Sequence, residues 1–112
     1  MKAITLNERE IIRYTVKNLS HGMDVPTSVT KAAQLEVLKK RMMAGEVVRF
    51  CFRKVSTGEI VYRVGTLQSD AVEANIVGTG LPKRFYGQFA YIDLTCLAWR
   101  SFLPQNFVGI VD

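Results

Sequence analysis

Apolar and polar positions alternate most clearly across residues 46–67, and the alternation predicts a β-hairpin. Counting strand pairs outward from a loop of Ser56, Thr57 and Gly58, with Gly58 in the left-handed conformation that glycine adopts at little cost, sets Val55 against Glu59. That register puts Phe52 opposite Tyr62, Phe50 opposite Val64 and Val48 opposite Thr66 on one face. Arg49, Cys51 and Arg53 share the other face with Val61, Arg63 and Gly65. A two-residue Thr57-Gly58 turn would slip the pairing by one and set Arg63 beside Phe52, burying an unpaired charge, and is rejected on that ground. The expected hairpin has an aromatic core face and an arginine-bearing outer face.

Upstream the period changes to that of helices. Asn7 is a good N-cap, with Glu8 and Glu10 in the first turn, where negative charge meets the positive helix end. Ile11, Ile12, Val16 and Leu19 then form one stripe, expected to pack inward, and Ser20-His21-Gly22 ends the segment. Pro26, Thr27 and Ser28 open a second helix, in which Val29, Ala32, Ala33, Leu35, Leu38 and Met42 cover a broad face up to a stop at Gly45. Lys39, Lys40 and Arg41 stand at its negative end, a placement that ordinary helix stabilisation explains without a phosphate patch.

Downstream, residues 68–83 lack a clean period and carry Gly78, Gly80 and Pro82, which reads as a long surface connection. Gly78-Thr79-Gly80 lacks the Lys-Ser or Lys-Thr of a phosphate loop, so these glycines are assigned to turn geometry. Lys83-Arg84-Phe85-Tyr86 interleaves basic and aromatic residues, which suits either a nucleic-acid backbone or the start of a strand. Residues 88–94 and 99–103 predict a second hairpin pairing Leu94 with Trp99, which sets Asp93 opposite Arg100 as a cross-strand ion pair. Of its faces, the aliphatic one (Ala90, Ile92, Leu94, Trp99, Ser101, Leu103) is expected to be core, leaving Phe89, Tyr91, Asp93, Arg100 and Phe102 as an exposed aromatic patch. Pro104 breaks the run, and residues 107–111 read as a short closing strand.

Composition narrows the class. A chain of 112 residues, 48% hydrophobic, supports one modest core. No apolar run approaches the roughly 18 residues of a membrane span, and the charged Glu8-Arg9-Glu10 follows the start, so the expectation is a soluble, cytoplasmic protein with no membrane association. Cys51 and Cys96 are isolated from each other and from the one histidine, His21, so zinc is set aside, no cofactor is expected, and both read as reduced packing residues. The net charge of +5 suits an anionic partner. Residues 1–45 hold eight Lys or Arg against four acids, and the remainder seven against six, yet five of those seven are arginines, whose planar guanidinium suits phosphate or carboxylate.

Residues 46–111 resemble the WYL-like small-barrel family of Sm-like SH3 β-barrel fold, common in gut Bacteroidales and their mobile elements. The likeness rests on Phe50-Cys51-Phe52-Arg53-Lys54, the turn closing at Gly58, Gly65-Thr66-Leu67 and Gly78-Thr79-Gly80. It rests above all on Tyr91-Ile92-Asp93-Leu94 followed by Trp99-Arg100-Ser101-Phe102. That last block is similar to the W-R-T-F-R strand near the close of WYL domains, although Leu103 stands where the second arginine would be and no Trp-Tyr-Leu triplet is present. The resemblance implies an α+β chain, mainly β: a five-stranded SH3/Sm-like barrel over residues 46–112, preceded by a helical segment, residues 1–45, packed on it.

Function is weighed among three classes. Catalysis is set aside, because His21 falls in a predicted loop with no nucleophile motif and no paired carboxylates nearby. The leading expectation is a nucleic-acid-binding or regulatory module for DNA or RNA, with Arg49, Arg53, Arg63, Lys83 and Arg84 on phosphates and Tyr91, Trp99 or Phe102 as stacking surface. The alternatives are a module in which Arg100 and its aromatic neighbours grip a small anionic ligand or a protein partner, and a structural homodimer joined through the aromatic patch.

Overall fold

The computed structural model describes residues 4–68 and 87–111. Helix α1, Glu8–Ser20, starts at Asn7, whose side-chain oxygen accepts from the N–H groups of Arg9 (3.0 Å) and Glu10 (3.4 Å). Helix α2, Val25–Met43, is capped by Asp24, whose Oδ2 accepts from Thr27 N–H at 3.1 Å, with Pro26 in its first turn. Among the described residues, no helix is long and apolar enough to cross a membrane.

The inward face of α1 keeps only Ile11 of the expected stripe. Tyr14 and Asn18 are buried, while Ile12, Val16 and Leu19 are exposed. Polar tethers turn the helix this way. The Asn7 backbone N–H donates to Glu36 Oε2 at 2.7 Å, and Lys39 Nζ lies 2.9 Å from Glu36 Oε1 and 3.0 Å from Glu10 Oε1. Asn18 Nδ2 donates to the Ser28 carbonyl at 3.1 Å, and the Tyr14 ring lies under Arg13 and Lys39. Glu36 is fully buried, so its charge requires these partners, and meeting them brings Tyr14 rather than Val16 to the core. Val29 of α2, expected on the covering face, is also exposed.

Among the described residues five strands follow: β1 Val48–Arg53, β2 Ile60–Thr66, β3 Phe89–Asp93, β4 Ala98–Phe102 and β5 Phe107–Ile110. They form one antiparallel sheet in the order β4-β3-β2-β1-β5. Among the described residues the expected closed barrel is not formed: β4 and β5 are the two edges of the sheet. The sheet curls instead, and a short 3-10 turn at Pro104–Asn106 brings β4 round to β5, with the Phe102 and Phe107 rings 6.0 Å apart. One continuous core joins the layers, with Tyr14 of α1 and Leu35, Leu38 and Met42 of α2 against Val48, Phe50, Phe89, Tyr91, Phe102 and Phe107.

Both hairpins differ from their expected registers. In the first, Arg53 pairs with Ile60, Phe52 with Val61, Phe50 with Arg63 and Arg49 with Val64. The loop has four residues, 55–58, closed by Lys54 N–H on the Glu59 carbonyl (2.8 Å) and by Gly58 N–H on the Lys54 carbonyl (2.8 Å). Gly58 does take the left-handed conformation, at φ 74°. The extra loop residue exchanges the faces of β2. Tyr62, expected in the core, is 62% exposed, and Arg63 joins the inner face with Phe50. In the second hairpin Ile92 pairs with Trp99 and Tyr91 with Arg100, a shift that keeps each set of side chains together. The more deeply buried set is the aromatic one, however: Phe89, Tyr91, Asp93 and Phe102 lie inside, and of the aliphatic set Ile92 alone is buried as expected. Their rings interlock with Phe50 and Phe52 at centroid distances of 4.8–5.6 Å, a volume that the small Ala90 and Ser101 could not fill.

Candidate functional site

The strand ladder between β2 and β3 consists of only two pairs, Gly65 with Asp93 and Thr66 with Ile92. Gly65 makes this junction possible, because a Cβ there would lie 2.6 Å from Tyr91 Cδ2 and 3.2 Å from the Ile92 carbonyl. Beyond the junction the two hairpins separate. The gap is a cleft of about 750 Å³, walled by Arg53, Lys54, Val61 and Arg63 on one side and by Gln88, Trp99, Arg100 and Ser101 on the other. Phe52, Tyr91 and Phe102 form its floor. The described residues lining it include no carboxylate, histidine or cysteine.

Asp93 closes the inner end of this arrangement. Only 1% exposed, it accepts through Oδ1 from Thr95 N–H (2.8 Å) and Thr95 Oγ1 (2.6 Å), folding the turn of residues 94–97. Its Oδ2 lies 3.3 Å from Arg100 Nε and 3.9 Å from Arg63 Nε. Burial pushes this carboxyl up, but the two Thr95 hydrogen bonds and the two guanidiniums outweigh it and hold Asp93 below its ordinary value. Arg100 is held further into its charged range by its hydrogen bond to Cys96 Sγ (3.4 Å) and by Asp93. Burial, with Asp93 adding to it, pushes the Tyr91 hydroxyl up to about 12, so that side chain is neutral across the physiological range. One carboxylate faces two arginines, and Arg53 and Lys54 add to the excess positive charge.

The expected ion pair of Asp93 with Arg100 is therefore present, reached diagonally rather than directly across the strands. Six of the residues singled out from the sequence, Arg53, Arg63, Tyr91, Trp99, Arg100 and Phe102, line the one cleft. Their roles are redistributed. Tyr91 and Phe102 are buried core rings, as is Phe89, so the exposed aromatic patch that motivated a homodimer is absent. Arg49 lies on the outer face opposite Val64, away from the cleft, and Arg53 and Arg63 do not share a strand face. Lys83, Arg84 and Gly78-Thr79-Gly80 lie outside the described residues. Cys51 is buried, with Sγ directed at the Gly109 carbonyl, but Cys96 is exposed in the β3–β4 turn rather than packed. Missed altogether were Lys54, Gln88 and Ser101, the last two linked by a 2.5 Å hydrogen bond from Ser101 Oγ to Gln88 Oε1. The apolar–polar alternation carries a signal for Ser101, a polar residue inside a hydrophobic strand.

An open curled sheet of short antiparallel strands, with an aromatic inner face and two helices packed on it, makes this a small α+β domain. The sequence model of the WYL_2 family, an Sm-like SH3 β-barrel fold, matches residues 35–108, and the chain belongs to that family. The matched region takes in the second half of α2, strands β1 to β4 and the start of β5. No curated protein and no solved structure matches the chain.

Proposed function

We propose that this domain is a non-catalytic recognition module that holds single-stranded nucleic acid, DNA or RNA, in the cleft between its two hairpins. The observation that carries this reading is the convergence of Arg53, Lys54, Arg63 and Arg100 around a cleft that also presents the half-buried rings of Phe52 and Trp99. Guanidiniums take phosphate oxygens whichever bases are attached, and aromatic surfaces accept any base, so the pairing suits strand binding without sequence readout. A cleft whose described lining includes no carboxylate, histidine or cysteine supports binding rather than chemistry.

A second reading has its own support. About 750 Å³ is within the size range of small-molecule sites, which suits a small anionic ligand such as a free nucleotide. Fluorescence polarisation of labelled single-stranded oligonucleotides of unrelated sequence tests the first reading. The expected result is binding at low salt, weakened similarly for all sequences by Arg53→Ala. The log–log salt slope should fall by about 0.7 for each arginine removed from a single-strand phosphate. Absence of binding to any strand at low salt, where attraction is greatest, would overturn it.

A further inference from the structure

We infer that the site is longer than the cleft: a second, adjoining subsite takes the next nucleotide of the strand, with its base on Tyr62 and the connecting phosphate over Arg63 and Arg100. This extension rests on the nucleic-acid reading. Behind Arg63 and Arg100 lies a second concavity of about 340 Å³, lined also by Arg49, Tyr62, Val64 and Thr95. The four-residue loop of the first hairpin creates it. By exchanging the faces of β2, that loop brings Tyr62 and Val64 beside Arg49 on the outer side and sends Arg63 to the inner one. Arg63 serves both concavities, its Nη1 donating to the Tyr62 carbonyl at 2.9 Å and its Nε facing Asp93. Arg100 lines both as well.

The chemistry of the second concavity is that of a nucleotide unit. Three guanidiniums face a single carboxylate there, and Arg49 has no carboxylate partner among the described residues. Tyr62 is 62% exposed, in a strand whose neighbours bury much of their apolar surface. A flat ring left in water beside guanidiniums that outnumber the one described carboxylate offers a stacking face for an unpaired base and bidentate donors for its phosphate. A duplex keeps its bases stacked on one another and could not use Tyr62 in this way, so the geometry favours a single strand. A mononucleotide would fill one concavity and leave the other vacant, so the natural ligand contains at least two consecutive nucleotides. The buried Asp93 sets the spacing, because it holds the two shared arginines side by side at the boundary.

The test uses the full chain and homothymidine oligomers of one, two and four nucleotides, with affinities from calorimetry. Wild type should tighten by about tenfold or more between one and two nucleotides, the usual scale of one added stacking platform. Tyr62→Ala should remove most of that gain, and Tyr62→Phe should keep it. Arg49→Ala should weaken the tetranucleotide severalfold. Both side chains are exposed, so the variants should melt with wild type by circular dichroism. If Tyr62→Ala and Arg49→Ala bind the tetranucleotide like wild type while Arg53→Ala weakens it, the second subsite is overturned and the cleft reading stands. If the monophosphate binds as tightly as the tetranucleotide, a free-nucleotide site replaces the extended one. If no oligomer binds, both readings fall together.

Discussion

The two hairpins of this sheet end in four-residue loops of the same kind, yet they departed from their expected registers in different ways. In the first, the loop gains one residue over the expected three, and this single step exchanges the faces of β2, sending Tyr62 out and Arg63 in. In the second, the loop keeps its length but begins one residue earlier, so every side chain stays with its expected companions. Side chains alternate with a period of two, so an odd slip reverses a face and an even slip only moves it along. The charge that seemed to forbid Arg63 on the inner face is matched by Asp93, a partner from the other hairpin. Patterning within one hairpin could not reveal that contact.

The sharpest break between the two registers is Phe50→Ala against Tyr62→Ala. Phe50 is fully buried, edge-on to Tyr91 at 4.9 Å and 5.6 Å from Phe102, so its removal should cost about 3–5 kcal/mol in urea unfolding. Tyr62→Ala should cost no more than about 0.5 kcal/mol. Comparable losses would return Tyr62 to the core and reinstate the three-residue loop.

How much was legible follows from the range of the forces involved. Asn7 as a cap, Gly58 in the left-handed turn, Pro104 as a break and the existence of both helices and all five strands depend on neighbours in sequence, and these were readable. The inward face of α1 was not, because it is set by Glu36 reaching back to the Asn7 N–H across 29 positions. The core face of the second hairpin was not either, since an aliphatic set and an aromatic set compete equally until Phe50 and Phe52 supply rings to pack against. For the site, residue types were legible and their grouping was not: of the arginines expected on one face of the first hairpin, Arg53 and Arg63 line the cleft from opposite strand faces, Arg49 lies outside it, and Arg100 joins them from the second hairpin.

Gly65 joins the hairpins, and altering it tests whether they act as one unit. Gly65→Ala places a methyl 2.6 Å from the Tyr91 ring, which is fixed in the core, and should destabilise by about 1–3 kcal/mol. Near-ultraviolet circular dichroism should change with it as Tyr91 shifts. An unchanged stability would mean that the β2–β3 junction yields easily and the cleft width is not set there.

Asp93 provides the next, smaller effect. Its carboxyl is held below 3.8, so its contribution is fully present above that ordinary value and is lost as pH falls through the lower folded value. Asp93→Asn should lower stability at pH 7 by about 1–2 kcal/mol, the arginine share being modest because both guanidiniums reach solvent. The gap between wild type and variant should narrow from about pH 4 downward, read as urea midpoints at pH 7 and pH 3. A gap that stays constant with pH would assign the loss to packing and not to charge.

The smallest effect returns to the loops themselves. Each carries a left-handed residue at its last position, but the first uses Gly58 at φ 74° and the second uses Leu97 at φ 52°. A side chain with a Cβ is strained in that conformation, whereas glycine occupies it freely. Leu97 is also 67% exposed, so little packing offsets the strain. Exchanging the two choices should therefore give opposite signs. Gly58→Ala should destabilise by about 1 kcal/mol, and Leu97→Gly should stabilise by about half that, after the greater freedom glycine gives the unfolded chain is subtracted. Thermal melts of the two variants measure the difference directly. If Leu97→Gly lowers the midpoint instead, the leucine makes a contact that outweighs its backbone strain, and the two loops are alike only in outline.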